Sequence, residues 1–237
     1  MTDLRTMIWK EWKDLLWSGG RSDWFRPLWI VAIMGIVFPL SFQLRWIDLD
    51  PAPILLTLYV PFMFIATFIG DAIAGERERH TLETLLASRI SDRAILFGKV
   101  LVTVRFCWGM NVFCLLLGDV VVNVSKGQGP WVFYAPLNLF VVLLVLSFLT
   151  TLLAASGGVL ISLKSATVRQ AAQTMVLCEI LLGLAVYGVV RLLPASLTAS
   201  LTSSQMVLII ILVLVVLDAI LLAASLVSFQ RSRLILG

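Results

Sequence analysis

Six apolar runs, each near the roughly 20 residues that a helix needs to cross a bilayer, divide this chain and leave little else. They fall at 28–44, 54–73, 95–122, 135–163, 171–193 and 206–229. A soluble fold of 237 residues with 60% hydrophobic side chains and a mean hydropathy of +1.01 could not bury that much apolar surface. Lipid must be its solvent. The runs lack the alternation of barrel strands, so helices must satisfy the backbone in the hydrocarbon. The expected fold is a single all-α integral membrane domain over 1–237 with six transmembrane helices. The third and fourth runs exceed one crossing and are expected to tilt or to extend past the interface.

Charge sets the orientation. With six crossings both termini share one side, and that side carries every Lys and Arg of the 18 except Arg45, Lys126 and Arg191. The positive-inside rule puts it in the cytoplasm. The net charge of +4 is then a topology signal, with no nucleic-acid partner implied. Residues 3–17 read as an interfacial helix, with Leu4, Ile8, Trp12, Leu15 and Leu16 on one face and Trp9 at its edge. Outside, 48–53 is a turn-rich connection, and Trp131, Phe133 and Tyr134 are expected as interfacial anchors. The Ser/Thr-rich stretch 194–205 is long enough for a short helix dipping back toward the membrane. Cys107, Cys114 and Cys178 fall within runs, without metal or redox spacing.

Between the second and third runs stands a different kind of sequence, Gly75-Glu76-Arg77-Glu78-Arg79-His80-Thr81-Leu82-Glu83-Thr84-Leu85-Leu86. Five of these twelve residues are charged, against 14% of the chain. Leu82, Leu85 and Leu86 fall on one helical face, and Glu76, Glu78 and Glu83 add acid. Ser91 is placed to cap the next helix. A plain positive-inside loop would need neither the leucines nor the acids. The segment Glu76–Leu86, followed by Ser88, Ser91 and Gly98-Lys99, resembles the conserved segment of ABC-2-type permeases, the membrane subunits of ATP-binding-cassette exporters. His80 stands where that family usually has Gly, and Arg89 where it often has Pro; neither removes the acids or the leucines.

The resemblance implies six helices, cytoplasmic termini, an amphipathic helix leading into the first span and a coupling helix within 76–92. Contacts to a separate ATP-binding-cassette ATPase are then expected from Glu76, Glu78, Thr81, Leu82, Glu83, Leu85, Leu86 and Arg89. It further implies pairing with a second permease copy, identical or related, in a prokaryotic plasma membrane. The chain would move a hydrophobic or amphipathic substrate outward. It has no GxxxxGK[ST] loop, so it is not expected to be an enzyme or to hold a cofactor, and ATP and Mg belong to the ATPase partner. Two other readings of such a chain are a haem-exporter-like permease of cytochrome maturation and a non-transporting anchor or sensor regulated by an ATPase. No outer-face set of haem ligands favours the first.

Four acids lie within the runs: Asp71 and Asp119 near span ends, Glu179 and Asp218 deep inside. An ionised acid at mid-bilayer costs about 2.5–3.5 kcal/mol on insertion scales, so each is expected to face the protein interior. The favoured reading is a protonated acid bonded to Ser, Thr, Asn or Gln of a neighbouring helix; the alternative is a carboxylate on the substrate path. Arg105 is expected to snorkel. Ser156-Gly157-Gly158 reads as helix packing. A Ser–His dyad is unavailable there, because His80 is the one histidine and lies in the charged segment.

Overall fold

The computed structural model describes residues 2–17, 25–70, 74–78, 91–127, 129–134, 136–192 and 203–229. Among them there is no strand, and the chain is a multi-pass bundle of helices. Helix α1 (Thr2–Trp17) precedes α2 (Phe25–Ala32), which runs through a π-helical turn (Ile33–Val37) into α3 (Phe38–Phe42). Then come α4 (Leu44–Ile47), α5 (Pro51–Gly70), the one-turn α6 (Glu76–Glu78), α7 (Asp92–Lys126), α8 (Leu137–Lys164), α9 (Val168–Leu192) and α10 (Ser203–Ser228). Four stretches are long and apolar enough to cross a membrane: Asp92–Lys126, Leu137–Lys164, Val168–Ala185 and Ser204–Ser228. Leu28–Phe42 and Pro51–Ala66 are equally apolar but shorter.

The first run is not one straight helix. Pro39 lacks an N–H, and its ring crowds the carbonyl four residues back, so the preceding turn widens to π geometry. Gln43 then takes φ 51° and ψ −125°, ending α3, and Leu49 also has positive φ. This break turns Trp46, Ile47 and Leu49 inward, where they pack with Leu115, Val122, Tyr134, Phe140 and Leu143.

Tyr134, expected as an interfacial anchor, is instead a core residue. It is buried, stacks on Phe140, accepts a hydrogen bond from Trp46 Nε1 (2.9 Å) and donates to the Leu115 carbonyl (2.7 Å). Trp131 and Phe133 do remain exposed. Asn123 holds the same outer strap by both edges of the Val132 peptide, and Trp131 Nε1 donates to Asp119 Oδ2 (3.1 Å). Gly118 is what lets α3 and α4 close on α7. A Cβ there would lie 2.6 Å from Trp46 Nε1 and 2.9 Å from Pro39 Cγ, both on rigid rings. Gly118→Ala is therefore expected to destabilise the permease by about 1–3 kcal/mol, read as a lowered melting temperature of the purified protein. An unchanged melting temperature would mean that α3, α4 and α7 are not packed this way.

The larger core lies toward the other end. It joins Met7 of α1, Val60, Phe64 and Ile65 of α5, Ile95, Leu96 and Val100 of α7, Leu163 of α8, Met175 of α9, and Phe229. Helix α8 is central, packed against α5, α10, α7 and α9. Ser225 Oγ donates to the Ser156 carbonyl (3.2 Å), so α10 packs on α8 at this stretch of small residues.

Candidate functional site

The helix over 3–17 was expected from its leucine–tryptophan face, and a helix is present at Thr2–Trp17. Its most buried residue, however, is Met7. Met7 seats on Gly98 of α7, where a Cβ would come within 2.6 Å of Met7 Cγ. Trp12 also meets Phe106 of α7 edge-on at 6.3 Å, while Trp9 stays exposed under the Lys13 ammonium. The Gly98-Lys99 pair thus does two jobs: the glycine admits α1, and the next residue meets its charges.

Lys99 is 2% exposed. Its ammonium lies 2.9 Å from Glu76 Oε1 and 3.0 Å from Glu11 Oε1. Lys10 reaches the same Glu76 oxygen at 3.2 Å and Glu11 at 3.4 Å, with Asp14 one turn on at 3.5 Å. Two cations and two carboxylates from three elements so form one neutral knot, with Asp14 at its rim. A buried charge is tolerable only when matched in this way. Burial alone would lower the Lys10 pKa, but the Glu11 and Glu76 carboxylates outweigh it and raise the pKa above the usual 10.5. Lys10 therefore stays charged across the physiological range.

The two residues after Glu76 bind elsewhere. Arg77 donates to the Ser165 carbonyl (2.8 Å) and the Leu163 carbonyl (3.2 Å), at the C-terminal end of α8 where carbonyls lack helical partners. Glu78 accepts from the Val168 N–H (3.0 Å), the first residue of α9, as a capping acid does. Just upstream, the Ala74 N–H donates to Ser162 Oγ (3.0 Å). Three consecutive charged residues are each joined to a different part of the bundle: α1 with α7, the end of α8, and the start of α9.

The sequence reading grouped Glu76 and Glu78 with a partner-facing rim. Glu76 is buried and its carboxylate meets lysines of its own chain, because the turn at Ala74–Glu78 packs against α8 and directs it inward. Glu78 is exposed and holds the backbone of α9. Thr81, Leu82, Glu83, Leu85, Leu86 and Arg89 lie outside the described residues, as do Asp71 and His80. Ser91 caps α7 as expected, accepting from the Ala94 N–H at 3.3 Å. Sequence reasoning missed Lys10, Glu11 and Lys99 as partners of the charged segment. Their one available signal was the coincidence of acid and base on α1 with a lysine beside a glycine.

The deep acids also depart from the favoured reading. Asp218 is 3% exposed, and neither of its oxygens has a hydrogen-bond partner among the described residues. Glu179 is 8% exposed, with Oε1 likewise unpartnered. The hydroxyls on the facing helix are already used within it: Ser147 donates to Leu144, Thr150 to Ser147 and Ser156 to Leu153. Arg105 is exposed. No group of metal-binding side chains occurs among the described residues.

A family model described as ABC-2 family transporter protein matches residues 41–202. The chain belongs to this family. The matched stretch holds Glu76–Glu78, Lys99, the α8 end and Glu179, while α1 and α10 flank it. No curated protein matches the chain. ABC-2 permeases are membrane components without catalytic activity of their own, and in general they work with ATP-binding-cassette ATPase partners.

Proposed function

We propose that this permease is the membrane subunit of an ABC-2-type exporter, taking up force from a separate ATPase through the segment 76–92. The observation that carries the reading is the attachment of Glu76, Arg77 and Glu78 to α1, α7, α8 and α9. A helix over 81–87, with Leu82, Leu85 and Leu86 seated in a groove of the ATPase and Thr81, Glu83 and Arg89 around them, pulls on Glu76–Glu78. Those residues hold the ends of two spanning helices directly and a third through Lys99. Movement of the partner is thereby passed to the bundle.

In this reading six helices cross a prokaryotic plasma membrane, the two shorter apolar stretches included, with both termini cytoplasmic. Helix α1 lies along the cytoplasmic interface, its exposed Trp9 suited to the headgroups. Two permease chains, identical or related, pair with two ATPase chains. ATP hydrolysis and its Mg remain in the partner, and a hydrophobic or amphipathic substrate moves outward.

Two measurements test this. Fused reporters active only in the cytoplasm should work after residue 237 and within 76–92, and fail after residues 50, 126 and 200. Vesicles containing permease and ATPase should move substrate only with hydrolysable ATP. A cytoplasmic signal at 126 overturns the six-span arrangement, and movement indifferent to ATP overturns export.

A further inference from the structure

Helices α9 and α10 lie at the margin of the bundle, with most of their apolar side chains exposed. Each nevertheless turns one acid inward. Asp218 shares the stripe of α10 that carries Leu221, which faces Gly157 of α8, and Ser225, which donates to the Ser156 carbonyl. Glu179 lies on the side of α9 within electrostatic reach of the Tyr59 phenol. Counted along its own helix at 1.5 Å per residue, Asp218 stands about 15 Å from the Ser228 end of α10, and Glu179 about 16 Å from the Val168 start of α9, so each lies well inside an apolar helix.

Neither acid has a counter-charge among the described residues. Asp218 and Glu179 form no ion pair among the described residues, Lys99 is committed to Glu76 and Glu11, and Arg105 is exposed on α7. Both Asp218 oxygens lack a donor as well. A carboxylate so placed gains strongly from any cation that joins it, because the low dielectric magnifies attraction and the acid loses its desolvation penalty. The neighbours on α10 say where such a cation comes from. Leu217 and Ile220 on either side are exposed on the apolar surface, so a molecule approaching from lipid keeps its apolar part there while a charged group turns inward.

We infer that Asp218 forms an intramembrane site for the cationic group of an amphiphilic substrate. This rests on the transport reading above and narrows its substrate class to lipophilic cations. Asp218 is the anchor, with both oxygens lacking a donor among the described residues.

The test is binding of tetraphenylphosphonium to the full-length permease in nanodiscs by equilibrium dialysis, with empty nanodiscs subtracted. Saturable binding is expected, with little competition from tetraphenylborate, an anion of the same shape. Asp218→Asn should weaken binding about tenfold or more, as loss of a charge-assisted contact does, while Asp218→Glu and Glu179→Gln should retain it. Absent binding, equal competition by the borate, or unchanged binding in Asp218→Asn overturns the site. If Asp218→Asn does not assemble, the preference of the parent protein for phosphonium over borate decides. Should phosphonium bind as expected while ATP-driven export fails in vesicles with the ATPase, the transport reading falls and the site stands.

Discussion

Lys99→Met is expected to destabilise the permease by about 3–5 kcal/mol and to abolish ATP-driven transport. The substitution keeps the length and apolar stem of the side chain but removes the ammonium that lies within 3.0 Å of both Glu76 and Glu11. Two carboxylates then face one another, with the half-exposed Lys10 beside them. Removing one partner from a buried ionic group is costly because the remaining charge stays desolvated, whereas removing the whole group is often neutral. A second variant separates packing from force transmission. Lys99→Met combined with Glu11→Gln and Glu76→Gln should recover most of the melting temperature, yet still transport poorly, because the tie from Glu76 to α7 and α1 is gone. Both are read by thermal unfolding and vesicle transport on the same preparations. If the triple variant transports like the parent, the charged knot is a structural fastening and force reaches the bundle by Arg77 and Glu78 alone.

The second large effect is expected at the partner surface. Leu85→Ala with Leu86→Ala should weaken co-purification of the ATPase and abolish transport, while the permease still inserts and melts normally. Truncating a buried apolar anchor costs about 2 kcal/mol or more of association, roughly 30-fold in affinity. Glu83→Ala, at the rim of the same helix, should act more gently and in a salt-dependent way, since an exposed ion pair is worth about 0–1 kcal/mol. Pull-down and transport from the same membranes decide. A double variant that binds its ATPase and transports like the parent would show that the leucine face is not the coupling contact.

The two variants probe opposite ends of one short segment, and they were not equally legible. The leucine spacing of 81–87 is a local sequence pattern: i, i+3, i+4 would put three side chains on one side of any helix formed there. The knot at Glu76 is not local. Its members stand at positions 10, 11, 76 and 99, and no periodicity links them. A row of acids read one residue at a time suggests a solvated rim. Only when α1 crosses α7 over Gly98 does one of them find two lysines.

Tyr134 and Asp218 make the same point in lipid. An aromatic residue beside a Gly-Pro turn at a membrane boundary reads as an anchor. The break at Gln43 brings Trp46 across to bond it, and that pairing spans 88 positions of sequence. For Asp218, depth and burial follow from its place in an apolar run. Whether a neighbour would bond it depended on which face of α8 it met, and the hydroxyls there were already held by their own backbone.

What the sequence by itself determined was the solvent, the all-helical class and the family. Each rests on near-neighbour properties: apolar length against bilayer thickness, backbone groups that only helices can satisfy in hydrocarbon, and a motif of contiguous residues. Tertiary structure alone decided which charges are spent inside the protein and which are left without a partner. Electrostatic partners in a low-dielectric interior are chosen by distances of about 3 Å, and such distances exist only after helices far apart in sequence have packed.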